Sequence, residues 1–167
     1  NRSLRSRRDR EVVQELQEAV AASVVNLRDL LFELRPRALD EEGLAAAFRE
    51  HIARLPSDIE THLESRLVAE PPEAVRASLY RIAQEALVTA RKHAEPHRID
   101  VVLEDREGGI RLEIRDDGRG FEPGAARPRE GHLGLPSMIE RAEMAGGWCR
   151  VSSKPGAGTT VEVWVPV

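Results

Sequence analysis

The 167 residues include 25 Lys and Arg against 29 Asp and Glu, a net charge of −4, with 41% hydrophobic and 32% charged positions. That balance excludes a chain disordered throughout and gives no surface-wide field for nucleic acid, so no direct nucleic-acid partner is expected. One cysteine, Cys149, excludes an internal disulfide and a cysteine metal cage. The longest apolar runs are far too short to span a bilayer, and the opening NRSLRSRRDR has no apolar stretch behind it. A cytoplasmic chain is expected, with the membrane attachment of any longer parent left open. The basic start, with Arg2, Arg5, Arg7, Arg8 and Arg10, reads as a solvated helix end.

In chain order, Val13, Leu16, Val20, Val24, Leu27, Leu31 and Leu34 recur at gaps of three and four, one apolar stripe on a long helix that Pro36 ends. Residues 1–38 are therefore expected to be a dimerising or bundle-forming arm, with a long core helix as the alternative, and residues 39–167 the main domain. RPRALD reads as a turn. Asp40 is expected to cap a second helix with Leu44, Ala47, Phe48, Ile52 and Leu55 inward, stopped by Pro56. SDIETHLESRL reads as a strand. Pro71 and Pro72 open a helix that runs to about Ala94, with Val75, Leu79, Ile82 and Ala86 on its buried stripe. At about 100° per residue, Glu85 and Thr89 fall on the shoulder of that stripe and should be half-buried. RIDVVLED and IRLEIRDD, joined by REGG, predict a hairpin. After the loop EPGAARPREG, a helix is expected from about Leu135 to Ala145, closed by Gly146 and Gly147. WCRVSS and TTVEVWVP are the last two strands, joined by KPGAG.

Four pieces carry the chemistry: Glu85, Thr89 and Lys92 on a helix, DDGRG after a strand, GHLGL before a helix, and GAGTT before a strand. Each alone reads as a plain turn or cap. Together and in this order they suggest a nucleotide pocket, because glycines let backbone approach a ligand and a helix start aims free N–H groups at phosphate.

These pieces resemble the N, G1, G2 and final glycine boxes of the GHKL superfamily ATPase domain. RIAQEALVTARKHA and GHLGLPSMIERAEMAGG resemble bacterial sensor histidine kinases, and LRDLLFELRPRALDEEGL the subfamily that pairs with helix-turn-helix response regulators. The resemblance covers roughly residues 26–167. It implies an α/β (α+β) two-layer sandwich of the Bergerat type, three helices on one face of a mixed antiparallel sheet, preceded by a helical arm. It further implies that Asp116 accepts the adenine amino hydrogen bond and that Gly118 and Gly120 let the backbone pass the base. Gly131 and Gly134 would admit the phosphates at the Leu135 helix with His132 nearby, Lys92 and His93 would be a basic pair beside them, and Thr160 would close the adenine side. Glu85 would assist the metal or its waters, and Lys92 and Glu85 would be the catalytic pair.

Two positions depart from the family. Thr89 stands where the family has the asparagine that binds magnesium; a threonine oxygen is a hard ligand but reaches less far, and magnesium holds ligands at about 2.0 to 2.1 Å. No RxLHD box is present, and His51, His62, His93, His97 and His132 lie elsewhere. The resemblance thus implies ATP and Mg2+ as cofactors and a phosphoacceptor histidine helix contributed by a parent kinase. It also implies a homodimeric parent and a response regulator with a helix-turn-helix output domain as partner. The short segment between Gly120 and Gly131 suggests an open site. Two other readings share the boxes: a nucleotide-binding regulatory module with impaired catalysis, and an anti-sigma-type serine kinase, against which LRPRALDEEGL and the arm speak.

Overall fold

The computed structural model describes residues 36–122 and 134–167. The expected arm therefore lies almost wholly outside the described residues, as do Gly131 and His132. The elements are α1 (Arg37–Glu41), α2 (Leu44–Ile52), β1 (Glu60–Arg66), α3 (Glu73–His93), β2 (Arg98–Arg106), β3 (Gly109–Asp116), α4 (Gly134–Met144), β4 (Trp148–Ser153) and β5 (Thr159–Pro166).

Two expectations near the start are corrected. Where a turn was expected, Arg37–Glu41 is a short helix: Pro36 enters at φ −71°, and Leu39 is buried in the domain. Asp40 does not cap α2. Gly43 precedes it at φ 94°, and the Leu44 amide donates to Glu70 Oε2 at 2.9 Å, so the cap comes from a residue 26 positions away. A side chain at Gly43 would overlap that Glu70 carboxyl group.

The sheet order is β1-β2-β3-β5-β4, with β1 parallel to β2 and the remaining pairs antiparallel. Because side chains alternate, one face collects a continuous apolar row: Val101 stands opposite Ile114, Ile114 opposite Val161, and Val161 opposite Val151. Helices α2, α3 and α4 pack on that face, and α1 rests on α2 and α3. This is the two-layer mixed sandwich the motifs implied. Phe48 on α2 stacks on Tyr80 of α3 at 6.1 Å between centroids, locking the two helices over buried Leu79 and Ile82. The β2–β3 hairpin turns at Glu107 and Gly108, both at positive φ, the two-residue turn whose twist matches its strands. Helix α4 closes as expected: the Gly146 amide donates to Glu143 O and the Gly147 amide to Ala142 O, each at 2.9 Å, with Gly146 left-handed.

The other face is polar. Arg111 lies there between Glu104 at 3.1 Å, Glu162 at 2.7 Å and Glu113, and the Arg150 guanidinium covers Trp148 at 4.5 Å. No helix among the described residues is long and apolar enough to cross a membrane.

Candidate functional site

Between α3, the start of α4 and the ends of β3 and β5 lies a cavity of about 300 Å³. Its walls are largely apolar, with Ala86, Ala90, Met138 and Val161 among them, and its polar groups gather at two ends.

Asp116 forms one end. It is the last residue of β3, and strand alternation turns it to the helix-facing side after Leu112 and Ile114, so the residue is only 6% exposed. Burial, foremost, raises its pKa above the ordinary carboxylate value, against the Gly118 and Thr159 amides that pull it down. The Gly118 amide donates to Oδ1 at 2.9 Å. A carboxylate has about four acceptor sites, so capacity remains for a ligand donor. Asp117, one residue on, instead ties the chain together: its Oδ1 accepts the His97 and Arg98 amides at 2.9 and 2.8 Å. The Arg98 amide foremost holds its pKa below the usual range.

The other end is marked by Thr89 of α3, while Glu85, one turn earlier, lies outside the cavity's lining and reaches the same helix start. Glu85 and Thr89 are half-buried, as their shoulder positions required. A side chain on Gly134, the first residue of α4, would collide with Glu85 Oε1 and stand 3.1 Å from Thr89 Oγ1. Two side-chain oxygens thus approach a helix start, the end at which the first backbone N–H groups have no partner within the helix. That donor set suits a hard cation, which takes oxygen ligands and fills its remaining positions from phosphate and water.

The remaining sequence candidates divide. Gly134, Leu135, Thr89 and His93 line the cavity; Lys92 is exposed on the last turn of α3 and does not. Gly120 lines it and Gly118 does not: the position a Gly118 side chain would take is filled by the Ala94 carbonyl. Of the two adjacent threonines, Thr159 lines the cavity and Thr160 does not. In the β3–β5 register Thr159 pairs with Asp116 and shares the inward face with Val161, whereas Thr160 pairs with Arg115 on the outward face. The sequence reading also missed Phe121 and Met138 on the walls. Phe121 follows Gly120 directly, a signal present in the sequence; Met138 is one turn beyond Gly134 and faces inward by helical period alone.

A helix layer on one side of a mixed sheet, with a cavity between a buried strand-end carboxylate and a helix start, defines an α/β domain of the Bergerat ATPase type. Residues 74–167 match the family described as histidine kinase-, DNA gyrase B- and HSP90-like ATPase, and the chain belongs to that family. It is 29% identical over 158 residues to the signal transduction histidine-protein kinase/phosphatase DegS of Brevibacillus brevis, covering 93% of this chain and 40% of that protein. To the oxygen sensor histidine kinase NreB of Staphylococcus carnosus it is 35% identical over 145 residues, 85% of this chain and 42% of that one. The chain thus spans about two fifths of the length of these relatives. In structure it is similar to the histidine kinase domain of the Erythrobacter litoralis EL346 blue-light activated histidine kinase. The TM-score is 0.62 at 21% identity, over 74% of this chain and 60% of that one. It is also similar to the mycobacterial sensor histidine kinase MprB, with TM-score 0.57 at 24% identity, over 74% and 91%.

Proposed function

We propose that this chain is the ATP-binding and catalytic part of a two-component sensor histidine kinase. It would transfer the γ-phosphoryl group of ATP to a histidine on a neighbouring helical hairpin of the parent. The observation that carries this reading is the cavity's polarity: a buried acceptor, Asp116, at one end, and at the other Thr89, which with Glu85 just outside the lining approaches the first residue of α4. Asp116 would accept from the base amine. Glu85 and Thr89 would hold magnesium, which when bound neutralises phosphate charge, and the free amides at the start of α4 would orient the phosphates. Lys92 would add positive charge from the rim. A response regulator with a helix-turn-helix output domain and a second copy of the parent would be the partners, at a cytoplasmic location.

Thr89 favours a second reading, a nucleotide-binding regulatory module without turnover, because the hydroxyl reaches less far than the amide the family uses there. Calorimetric titration of ATP with and without magnesium, on this chain and on Thr89→Asn, separates the two when paired with phosphotransfer to a purified hairpin. Magnesium-tightened binding with transfer to histidine supports the kinase. Binding that responds to magnesium only in Thr89→Asn supports the module. Transfer to a serine of a partner protein would overturn both in favour of an anti-sigma-type kinase.

A further inference from the structure

The β4–β5 turn and the segment after β3 meet at one hydroxyl. Ser153, the last residue of β4, donates from Oγ to the Gly158 carbonyl at 3.0 Å, accepts from the Phe121 amide at 2.9 Å, and lies 2.9 Å from Thr159 Oγ1. A hydroxyl has one proton and two lone pairs. The carbonyl takes the proton and the Phe121 amide one lone pair, so Thr159 can meet Ser153 only by donating. Reversing that choice would leave the Gly158 carbonyl to the Lys154 amide at 3.4 Å, beyond the usual range of an N–H···O bond.

The consequence falls on the cavity. Ser153 and Thr159 are cross-strand partners, and Thr159 lines the cavity beside Asp116, its partner in the β3–β5 register. With its proton turned to Ser153, Thr159 keeps lone pairs only, and beside it stands an acceptor carboxylate. We infer that Ser153 is a positioning residue for base recognition: by holding the Thr159 proton it biases this end of the cavity toward an exocyclic amine and against a ring carbonyl. The inference rests on the nucleotide-binding reading above.

The test compares ATP with inosine triphosphate, whose base carries a carbonyl and a ring N–H where adenine has the amine and a bare nitrogen, and with inorganic tripolyphosphate as a base-free probe. Calorimetry is run on the whole chain, on Ser153→Ala, Ser153→Thr and Thr159→Val, and on the Ser153→Ala, Thr159→Val double variant. The unaltered chain should prefer ATP by roughly tenfold or more, since a site of unpaired acceptors rejects a carbonyl. Ser153→Ala frees the Thr159 proton to serve that carbonyl, so the preference should fall at least about threefold while tripolyphosphate binding holds. Ser153→Thr should restore it. Thr159→Val should lower the preference too, and Ser153→Ala should add nothing in that background. Equal weakening of ATP and inosine triphosphate by Ser153→Ala, or an unmoved ratio, would overturn the inference with nucleotide binding intact. A chain that binds none of the three removes the nucleotide reading itself, and the inference with it.

Discussion

A side chain on Gly118 would stand inside the carbonyl oxygen of Ala94, and the next amide, that of Arg119, donates to the same oxygen at 2.8 Å. The end of α3 is thereby fastened to the loop that follows Asp116. Gly118→Ala must push α3 and that loop apart, a backbone clash with no flexible end to yield. We expect a loss of about 1–3 kcal/mol in folding stability, the usual cost of overpacking, together with weaker nucleotide binding. Urea unfolding measures the first. An unchanged midpoint would show that the loop and helix are not coupled as described.

Asp116 carries opposite consequences for stability and binding. Burial disfavours its charged form, so Asp116→Asn removes that cost while its amide oxygen can still accept from Gly118. The ligand-free variant should melt no lower than the unaltered chain, and its affinity for ATP should drop by about 1–3 kcal/mol, the scale for unpairing a buried polar contact. A variant that binds ATP as before would remove the base-recognition role; one that melts far lower would mean that the carboxylate is structural.

Much of this was readable from local pattern. The hairpin was legible because EGG sits between two alternating runs, and the burial of Glu85 and Thr89 followed from helical period alone. What was not legible is set by distant residues. Nothing near Leu44 announces that Glu70 will supply its cap. Asp40, the plausible local cap, instead falls inside α1. That Thr159 rather than Thr160 faces the cavity was by contrast legible in the alternation that sets Val161, Val163 and Val165 on one face, and pairing with Asp116 agrees with it.

His51 gives the fold a dependence on pH. It is 2% exposed, its Nδ1 lies 3.2 Å from the Tyr80 hydroxyl, and burial first, then the charges of Arg54 and Arg91, lower its pKa from 6.5 to about 4. The folded state therefore keeps His51 neutral where the unfolded chain would protonate it. Its contribution is fully present above about pH 6.5 and is lost as pH falls toward 4, on the order of 3 kcal/mol across that window. Asp117, held low, adds its own loss only below the ordinary carboxylate range, and Asp116 acts in the opposite sense. Denaturant midpoints at pH 7.5 and 5.0 should differ in the unaltered chain and converge in His51→Gln. Equal pH slopes in the two proteins would rule His51 out as the source.

On the polar face of the sheet the decisive residue is Arg111. Glu113 and Glu162 are directly opposed in the β3–β5 register, a like-charge pair that destabilises a sheet when nothing intervenes. The Arg111 guanidinium bridges them and reaches Glu104 as well, and at 16% side-chain exposure it is better shielded than an ordinary surface ion pair. Arg111→Leu keeps the aliphatic packing and leaves Glu113 and Glu162 opposed with nothing between them, while Glu104 keeps Arg66 at 3.2 Å. The expected cost is roughly 1–2 kcal/mol at low salt, shrinking in 1 M salt as the repulsion is screened over a Debye length of about 3 Å. Arg150→Ala, which removes an exposed cation that lies over Trp148 and opposite Glu162 in the β4–β5 register, should cost roughly 0.5–1 kcal/mol, and the Arg111 cost should exceed it at low salt. An Arg111→Leu cost that stays constant with salt would assign the loss to packing and remove the electrostatic account of this face.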